Sequence, residues 1–230
     1  MHIAVIPDGN RRYMRKKGIF NLKSSYESGI EKFYDFLEWS KELGANEVTI
    51  YALSTENLDN RGKREINTLL NLFVSQTIQS LKNGRIHDNK IKVKVCGDLA
   101  YLTQKISNVG LREKVINSLK KLEEDTKRYK GFILNLAIAY GGRREILHAA
   151  GELAKRGLPF TEENLKQQLW IKDYPDIIIR TSETRLSNFL LFQGAYSEIY
   201  FVDKLWQEFE KSDLIRVVND FKEKERRFGK

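Results

Sequence analysis

The stretch His2-Ile3-Ala4-Val5-Ile6-Pro7-Asp8-Gly9-Asn10-Arg11-Arg12-Tyr13 opens the chain and sets its frame. Its first five residues are an apolar run of strand composition. The run stops at Pro7-Asp8-Gly9-Asn10, where proline and glycine supply turn dihedrals and Asn10 is a candidate helix cap. Arg11, Arg12, Arg15, Lys16 and Lys17 follow on a predicted short helix. A strand that turns through glycine into a helix aims backbone N–H groups at one point, and that point favours anions. Arginines in a first helical turn oppose the helix dipole, so a bound anion accounts for them better than helix stability does. Asp8, the lone carboxylate amid this positive charge, is placed to hold a divalent cation between itself and a polyphosphate. The local pattern also fits a basic surface turn built on an Asp-Gly bend.

Downstream, helix and strand patterns alternate. Ser24 to Leu43 carries Tyr26, Ile30, Phe33 and Leu37 at helical spacing, with Gly44 as a stop. Glu47 to Leu53 reads as a buried strand and runs into a polar loop, Ser54 to Arg61. Glu65 to Leu81 is helical, Lys90 to Cys96 a strand, and Tyr101 to Lys127 one long helix or two, interrupted near Asn108-Val109-Gly110. Phe132 to Ala139 is a buried strand followed by Tyr140-Gly141-Gly142-Arg143-Arg144 and a helix to about Arg156. A short helix near Thr161 to Trp170, strands at Asp176 to Thr181 and Ser197 to Phe201, and a basic helix from Ser212 to Arg227 complete the chain. Such alternation predicts an α/β fold: a single domain over residues 1–230 with a mostly parallel central sheet flanked by helices. Sites in these sheets lie beyond the carboxyl ends of strands. Polar clusters end four of the strands, at Asp8-Gly9-Asn10, Ser54 to Asn57, Gly141 to Arg144 and Arg180 to Asn188, and these loops are expected to converge.

The chain has 230 residues, 41% apolar, with three prolines and no low-complexity run, so it is neither disordered nor fibrous. Its single cysteine, Cys96, cannot support a disulfide framework, which points to a reducing cytoplasm. Motif residues begin directly after Met1, so no signal peptide is expected, and no apolar stretch approaches a membrane span. A net charge of +9 calls for an anionic partner: nucleic acid, a membrane surface or a phosphorylated small molecule.

A second basic cluster, Arg180-Thr181-Ser182-Glu183-Thr184-Arg185-Leu186-Ser187-Asn188, offers two guanidiniums and several hydroxyls suited to phosphate oxygens. It fits a salt-bridged loop around Glu183 equally well. Together the two clusters suggest two diphosphate pockets and a reaction joining two phosphorylated molecules. Glu198, set among apolar residues in Tyr196-Ser197-Glu198-Ile199-Tyr200, is either an edge-strand glutamate or a second carboxylate near a metal–diphosphate centre. His2, His87 and His148 show no metal-ligand spacing. Walker A, dinucleotide and nucleophile-elbow patterns are absent, which leaves nucleotide hydrolysis and hydride transfer without support. Aromatic residues lie in apolar stripes rather than between basic ones, so no nucleic-acid partner is expected.

These residues, read together, resemble the cis-prenyltransferase family, whose best-known members make undecaprenyl diphosphate. The resemblance runs from His2 to Gly229 and rests on H-I-A-V-I-P-D-G-N-R-R-Y, Y-A-L-S-T-E-N, N-L-A-I-A-Y-G-G-R, I-R-T-S-E-T-R-L-S-N-F-L-L-F-Q, Y-S-E-I-Y-F and E-R-R-F-G. The chain lacks the D-D-x-x-D pair of trans-type synthases. The resemblance implies condensation of isopentenyl diphosphate with an allylic prenyl diphosphate, with Mg²⁺ as cofactor, in a homodimer. Asp8 then matches the aspartate that positions Mg²⁺ and the allylic diphosphate, and Gly9, Asn10, Arg11, Arg12 and Tyr13 the loop that cradles it. Ser54 and Asn57 match polar residues beside the reacting carbons, Asn57 being implicated in proton removal, and Arg61 a further phosphate arginine. Arg180, Arg185 and Ser187 match the isopentenyl diphosphate site, Glu198 a metal-handling carboxylate, and Arg227 and Gly229 a C-terminal R-x-G that reaches across the dimer. The chemistry calls for an apolar tunnel, with Ile66, Leu69, Leu70, Phe73 and the Phe132–Ala139 strand as candidate walls, although ordinary core packing fits the same residues.

The chain also departs from the family pattern. A glycine usual between the residues matching Ser182 and Glu183 is missing, and Tyr26 stands where an allylic-phosphate histidine is expected. Tyr13 and Leu58 replace tryptophans, and Lys23 is the sole basic residue between Gly18 and Tyr26. The altered second site leaves open condensation of two allylic diphosphates, or a non-catalytic partner subunit. The basic tail and an apolar product also suggest peripheral contact with an anionic membrane.

Overall fold

The computed structural model describes residues 1–19 and 21–224. Six strands, β1 (His2–Ile6), β2 (Glu47–Ser54), β3 (Ile91–Cys96), β4 (Phe132–Tyr140), β5 (Ile177–Thr181) and β6 (Glu198–Val202), form one sheet in the order β3-β4-β2-β1-β5-β6. Every pairing is parallel. Strands covered on both faces can be apolar at consecutive positions, and β1 and β5 are buried throughout.

The intervening helices are α1 (Asn10–Lys16), α2 (Leu22–Glu42), α3 (Thr55–Asn60), α4 (Lys63–Lys82), α5 (Arg85–Asp88), α6 (Leu99–Lys105), α7 (Val109–Thr126), α8 (Gly142–Arg156), α9 (Glu162–Gln168) and α10 (Lys211–Glu223). Alternate residues of β1 sort the core by sheet face. Ile3 and Val5 pack with Phe36 of α2, Leu70 of α4, Val115 of α7 and Val217 of α10. Ala4 and Ile6 pack on the other face with Ile171, Phe189 and Leu190. The predicted break at Asn108 is real: its side chain accepts from Leu111 N and starts α7, which makes α6 and α7 separate helices.

Two local expectations are corrected. Asn10 is not a cap but the first residue of α1, behind Gly9, whose φ of 105° is left-handed. A Cβ on Gly9 would lie 2.7 Å from Ser182 Oγ, so both dihedral and space demand glycine. The expected loop at Ser54 to Arg61 is largely helix α3, because the Ser54 side chain accepts from Asn57 N at 3.0 Å and caps it.

The sheet's parallel sense brings the carboxyl ends of all strands to one edge. The chain moves outward from β1 through β2 to the edge strand β3, comes back between β3 and β2 as β4, then crosses to β1's other side as β5. This reversal beside β1 is where open α/β sheets place ligands.

Candidate active site

Asp8 follows β1 by two residues, and Ile6 is in register with Arg180 on β5. That register brings the two basic clusters together. Arg180 donates from Nη2 to Asp8 Oδ2 at 2.7 Å, while Gly9 N donates to Asp8 Oδ1 at 2.6 Å. Thr181 Oγ1 holds the Asp8 backbone through bonds of 2.9 Å from its N–H and 2.8 Å to its carbonyl. Arg12 donates to Ser182 O at 3.1 Å and to Glu183 Oε1 at 2.8 Å, and Arg185 donates to Glu183 Oε2 at 2.6 Å. Glu183 is therefore a bridge between one arginine of each cluster, and its carboxylate occupies the kind of position an anionic ligand would take.

A single cavity of about 790 Å³ opens at this cluster. Its polar lining comes from Asp8, Asn10, Ser54, Asn57 and Arg61 and from Arg180, Arg185 and Ser187. Its apolar lining comes from α2 (Phe33, Leu37), α4 (Leu69, Leu70, Phe73) and β4 (Leu134, Leu136, Ile138). Of the expected walls, Ile66 is buried in the core and does not line the cavity, and the Phe132–Ala139 strand contributes Leu134, Leu136 and Ile138 but not its other residues.

Arg180 is not the exposed phosphate ligand that its loop position suggests. Its side chain is 3% exposed and is spent on Asp8, on the Arg185 carbonyl and on Ser187 Oγ at 2.5 Å, leaving Nε without a partner among the described residues. Arg185, with 63% of its side chain exposed and paired among the described residues only with the partly exposed Glu183, is the accessible cation of that loop. The loop is held in a contorted backbone: Ser182, Ser187, Asn188 and Leu190 have φ of 60°, 48°, 64° and 46°. Positive φ at side-chain-bearing residues is uncommon and clusters at ligand sites.

On the opposite wall, Glu65 collects Arg11 through bonds of 2.5 and 3.3 Å, and Tyr26 Oη donates to it at 2.9 Å. Arg61 donates to Tyr26 Oη at 2.9 Å and lies 3.3 Å from Glu65. Burial works against the charged form of Glu65, but the bonds from Arg11 and Tyr26 win, and its pKa lies below the usual carboxylate value. Burial pushes the Tyr26 phenol up to about 12, so at neutral pH this position is an uncharged donor and acceptor. Asn57 donates from Nδ2 to Ser54 Oγ at 2.8 Å, and among the described residues none donates to its Oδ1.

Glu198 is corrected. It begins β6 and is in register with Ile177, at the amino end of β5, whereas Asp8 lies beyond the carboxyl ends. Its carboxylate is paired with Lys224 at 2.8 Å, so within this chain it cannot share a metal with Asp8. Asn10 Oδ1 accepts from Gln207 Nε2 at 2.6 Å, and Gly9, Arg11, Arg12 and Tyr13 do not line the cavity. Arg227 and Gly229 lie outside the described residues. His2 is buried against Thr49 at 2.7 Å, His87 meets Tyr129 and His148 stacks on Trp170, so each has a structural partner. Sequence reasoning missed Glu65 and Gln207; the i,i+4 spacing of Arg61 and Glu65 on helical sequence was the one available signal for the first.

The donor set bears on a divalent cation. Among the described residues no group of three or more His, Cys, Asp or Glu side chains could hold one. Mg²⁺ is commonly held by one or two carboxylates together with substrate phosphates and water, and Asp8 fits that arrangement when a diphosphate supplies the rest.

The chain is similar to known proteins along nearly its whole length. The family model described as "Putative undecaprenyl diphosphate synthase" matches residues 6–229. A tritrans,polycis-undecaprenyl-diphosphate synthase (geranylgeranyl-diphosphate specific) from Pyrobaculum aerophilum is 42% identical over 100% of this chain and 95% of its own length. An isoprenyl transferase from Thermus thermophilus is 38% identical over 100% and 88%. Among solved structures, lavandulyl diphosphate synthase from Lavandula x intermedia, in complex with dimethylallyl diphosphate, superposes with a TM-score of 0.88 at 28% identity, covering 100% of this chain and 98% of that one. A probable undecaprenyl diphosphate synthase from Campylobacter jejuni gives 0.80 at 32%, with the same coverage. A prenyltransferase on an all-parallel α/β sheet, this chain belongs to the cis-prenyltransferase (undecaprenyl diphosphate synthase) family.

Proposed function

We propose that the enzyme condenses isopentenyl diphosphate with an allylic prenyl diphosphate and lengthens the chain by cis units. The reaction breaks the allylic C–O bond, forms a C–C bond from the isopentenyl double bond, and releases diphosphate and a proton. The observation that carries this reading is the shared cavity: Asp8, Asn57 and Arg185 line it beside an otherwise apolar interior. An anionic head and a long hydrocarbon need that combination in one space.

Asp8 and Asn10, which line the cavity at the head of α1, receive the allylic diphosphate, and Arg61 adds positive charge at its edge; Arg12, paired with Glu183 behind the lining, reaches it only if Glu183 gives way. Arg185 and Ser187 hold the isopentenyl diphosphate, with Arg180 as the buried brace behind both. Positive groups fixed before the reaction stabilise charge that develops on the departing diphosphate. Asp8 would hold Mg²⁺ together with diphosphate oxygens, and the bound ion neutralises the leaving group. Asn57, restrained by Ser54, turns its carboxamide oxygen toward the proton that the isopentenyl unit loses. The wall of α2, α4 and β4 side chains receives the growing chain and excludes water.

The same reading extends to assembly. A homodimer through edge strand β6 is supported by the exposure of Tyr196, Ile199 and Phe201. No helix of the described residues is long and apolar enough to cross a membrane, and the +9 charge favours a cytoplasmic enzyme touching an anionic membrane face.

The test is mass analysis of products from dimethylallyl, farnesyl and geranylgeranyl diphosphates with labelled isopentenyl diphosphate and Mg²⁺. A ladder of labelled polyprenyl diphosphates is expected. A second reading, condensation of two allylic diphosphates, rests on the shortened Ser182–Glu183 loop and the likeness to lavandulyl diphosphate synthase. It would show as a product free of label.

A further inference from the structure

Asn188 ties together three of the loops that build the cavity mouth. Its Nδ2 donates to Glu56 Oε1 on α3 at 2.6 Å. Its Oδ1 accepts from Arg143 N at 2.9 Å, and its carbonyl accepts from Gly142 N at 2.7 Å, both at the start of α8. One residue of the β5 loop therefore spans the ends of β2 and β4. The packing leaves no slack: a Cβ on Gly141 would lie 2.7 Å from Asn188 Nδ2 and 2.8 Å from Thr55 Oγ1.

The residues on either side of Asn188 do different jobs. Ser187, before it, accepts from Arg180 at its hydroxyl oxygen and from Tyr51 Oη at its carbonyl at 3.4 Å. Phe189, after it, is fully buried and stacks on Tyr51 at 4.6 Å. Asn188 itself has a φ of 64°, a conformation that asparagine tolerates better than most residues. Its carboxamide is engaged by protein groups at both ends, so holding the loops is its role rather than gripping a phosphate.

We propose that Asn188 is a positioning residue, a latch that fixes the Arg185–Ser187 side of the site against the helix that carries Asn57. The inference rests on the functional reading above, and it adds a requirement that reading does not contain. Placing the isopentenyl diphosphate grip at the right distance from the Asn57 carboxamide depends on the Asn188–Glu56 contact. Opening this contact frees the Arg185–Asn188 end of the β5 loop, while its Ser182–Glu183 end keeps its bonds to Arg12 and the Asp8 turn keeps those to Arg180 and Thr181. The isopentenyl side of the reaction should suffer and the primer side should not.

Moving the negative charge from one partner to the other tests the contact directly. Asn188→Asp keeps the size and the acceptor toward Arg143 N, but sets a carboxylate against Glu56. Glu56→Gln in the same chain restores a donor–acceptor pair with its polarity turned round. The KM for isopentenyl diphosphate is expected to rise about tenfold in Asn188→Asp, the scale of a lost charge-assisted hydrogen bond, and to return to within about threefold of wild type in the double variant. The KM for the allylic primer should hold in both. Asn188→Gly, which keeps the backbone conformation without the amide, should show the same rise and no rescue by Glu56→Gln. A double variant no better than Asn188→Asp, or an Asn188→Gly enzyme with wild-type KM, overturns the latch.

Binding of isopentenyl diphosphate and of inorganic diphosphate is measured in parallel by calorimetry. A wild type that ignores isopentenyl diphosphate sinks the functional reading. The latch is then judged by whether the inorganic diphosphate affinity of the same variants follows the loss-and-rescue pattern.

Discussion

Arg180 and Asp8 form a 2.7 Å ion pair at the carboxyl edge of the sheet, with the guanidinium almost wholly buried and the carboxylate partly open to the cavity. The pair joins the two strands that flank the chain reversal and so joins the two halves of the site. Removing one partner of a buried pair leaves an uncompensated charge, which costs more than the pair itself contributes.

Asp8→Ala should therefore lose about 2 kcal/mol of stability as well as activity. An anion entering the cavity could then pair with the abandoned guanidinium. Inorganic diphosphate should raise the melting temperature of Asp8→Ala by more than it raises that of wild type. Turnover should fall about a thousandfold, because charge stabilisation at the leaving group is the main catalytic contribution. Equal thermal shifts in the two proteins would mean that Arg180 does not face the anion.

Glu183 holds Arg12 and Arg185 in place of a ligand. Both arginines are substantially exposed, so these contacts add little stability. Glu183→Gln should leave the melting temperature within about a degree and tighten inorganic diphosphate binding about threefold or more, since a competing anion is gone. The gain should shrink with added salt. Weaker binding in calorimetry would show instead that Glu183 orients the arginines.

Much of this arrangement was readable from residues alone. Ile3 to Ile6 and Phe132 to Tyr140 are apolar at nearly every position, which only a strand covered on both faces sustains, and the strand-end rule then gathers Asp8, Asn57 and Arg185 at one edge. The same rule speaks against Glu198, which begins a strand instead of ending one. Its apolar neighbours suggested a site, but they belong to an edge strand. The counter-ions were illegible for a different reason. Arg11 and Glu65 are 54 positions apart, Arg12 and Glu183 171, and nothing local in a sequence says which arginine a distant glutamate will take.

His2 makes acid stability testable at the opposite edge of the sheet. Burial lowers its pKa to about 4 from an ordinary 6.5, despite the opposing pull of Asp173. Below pH 6.5 the unfolded chain therefore takes up a proton that the folded chain refuses until about pH 4. Stability is complete above that window and falls through it, by about 3 kcal/mol from this group. Urea denaturation between pH 7 and 4 should show the loss, and His2→Gln should flatten it. An unchanged slope in the variant would place the acid sensitivity elsewhere.

Ser54 serves two masters, the helix and the reaction. Its hydroxyl oxygen accepts from Asn57 N at 3.0 Å, capping α3, and from Asn57 Nδ2 at 2.8 Å, fixing the carboxamide that faces the cavity. Ser54→Ala removes both bonds. Loss of the cap should cost about 1 kcal/mol. A freely turning Asn57 should lower kcat about tenfold, because a misplaced carboxamide no longer orients the carbon that gives up its proton to the diphosphate, which raises the barrier without weakening diphosphate binding. Both KM values should therefore stay near wild type. Ser54→Thr retains an oxygen that can accept both bonds and should recover most of kcat as well as the melting temperature. If Thr restores stability alone and turnover stays low, the link from Ser54 to Asn57 has no part in catalysis, and α3 matters to the fold only.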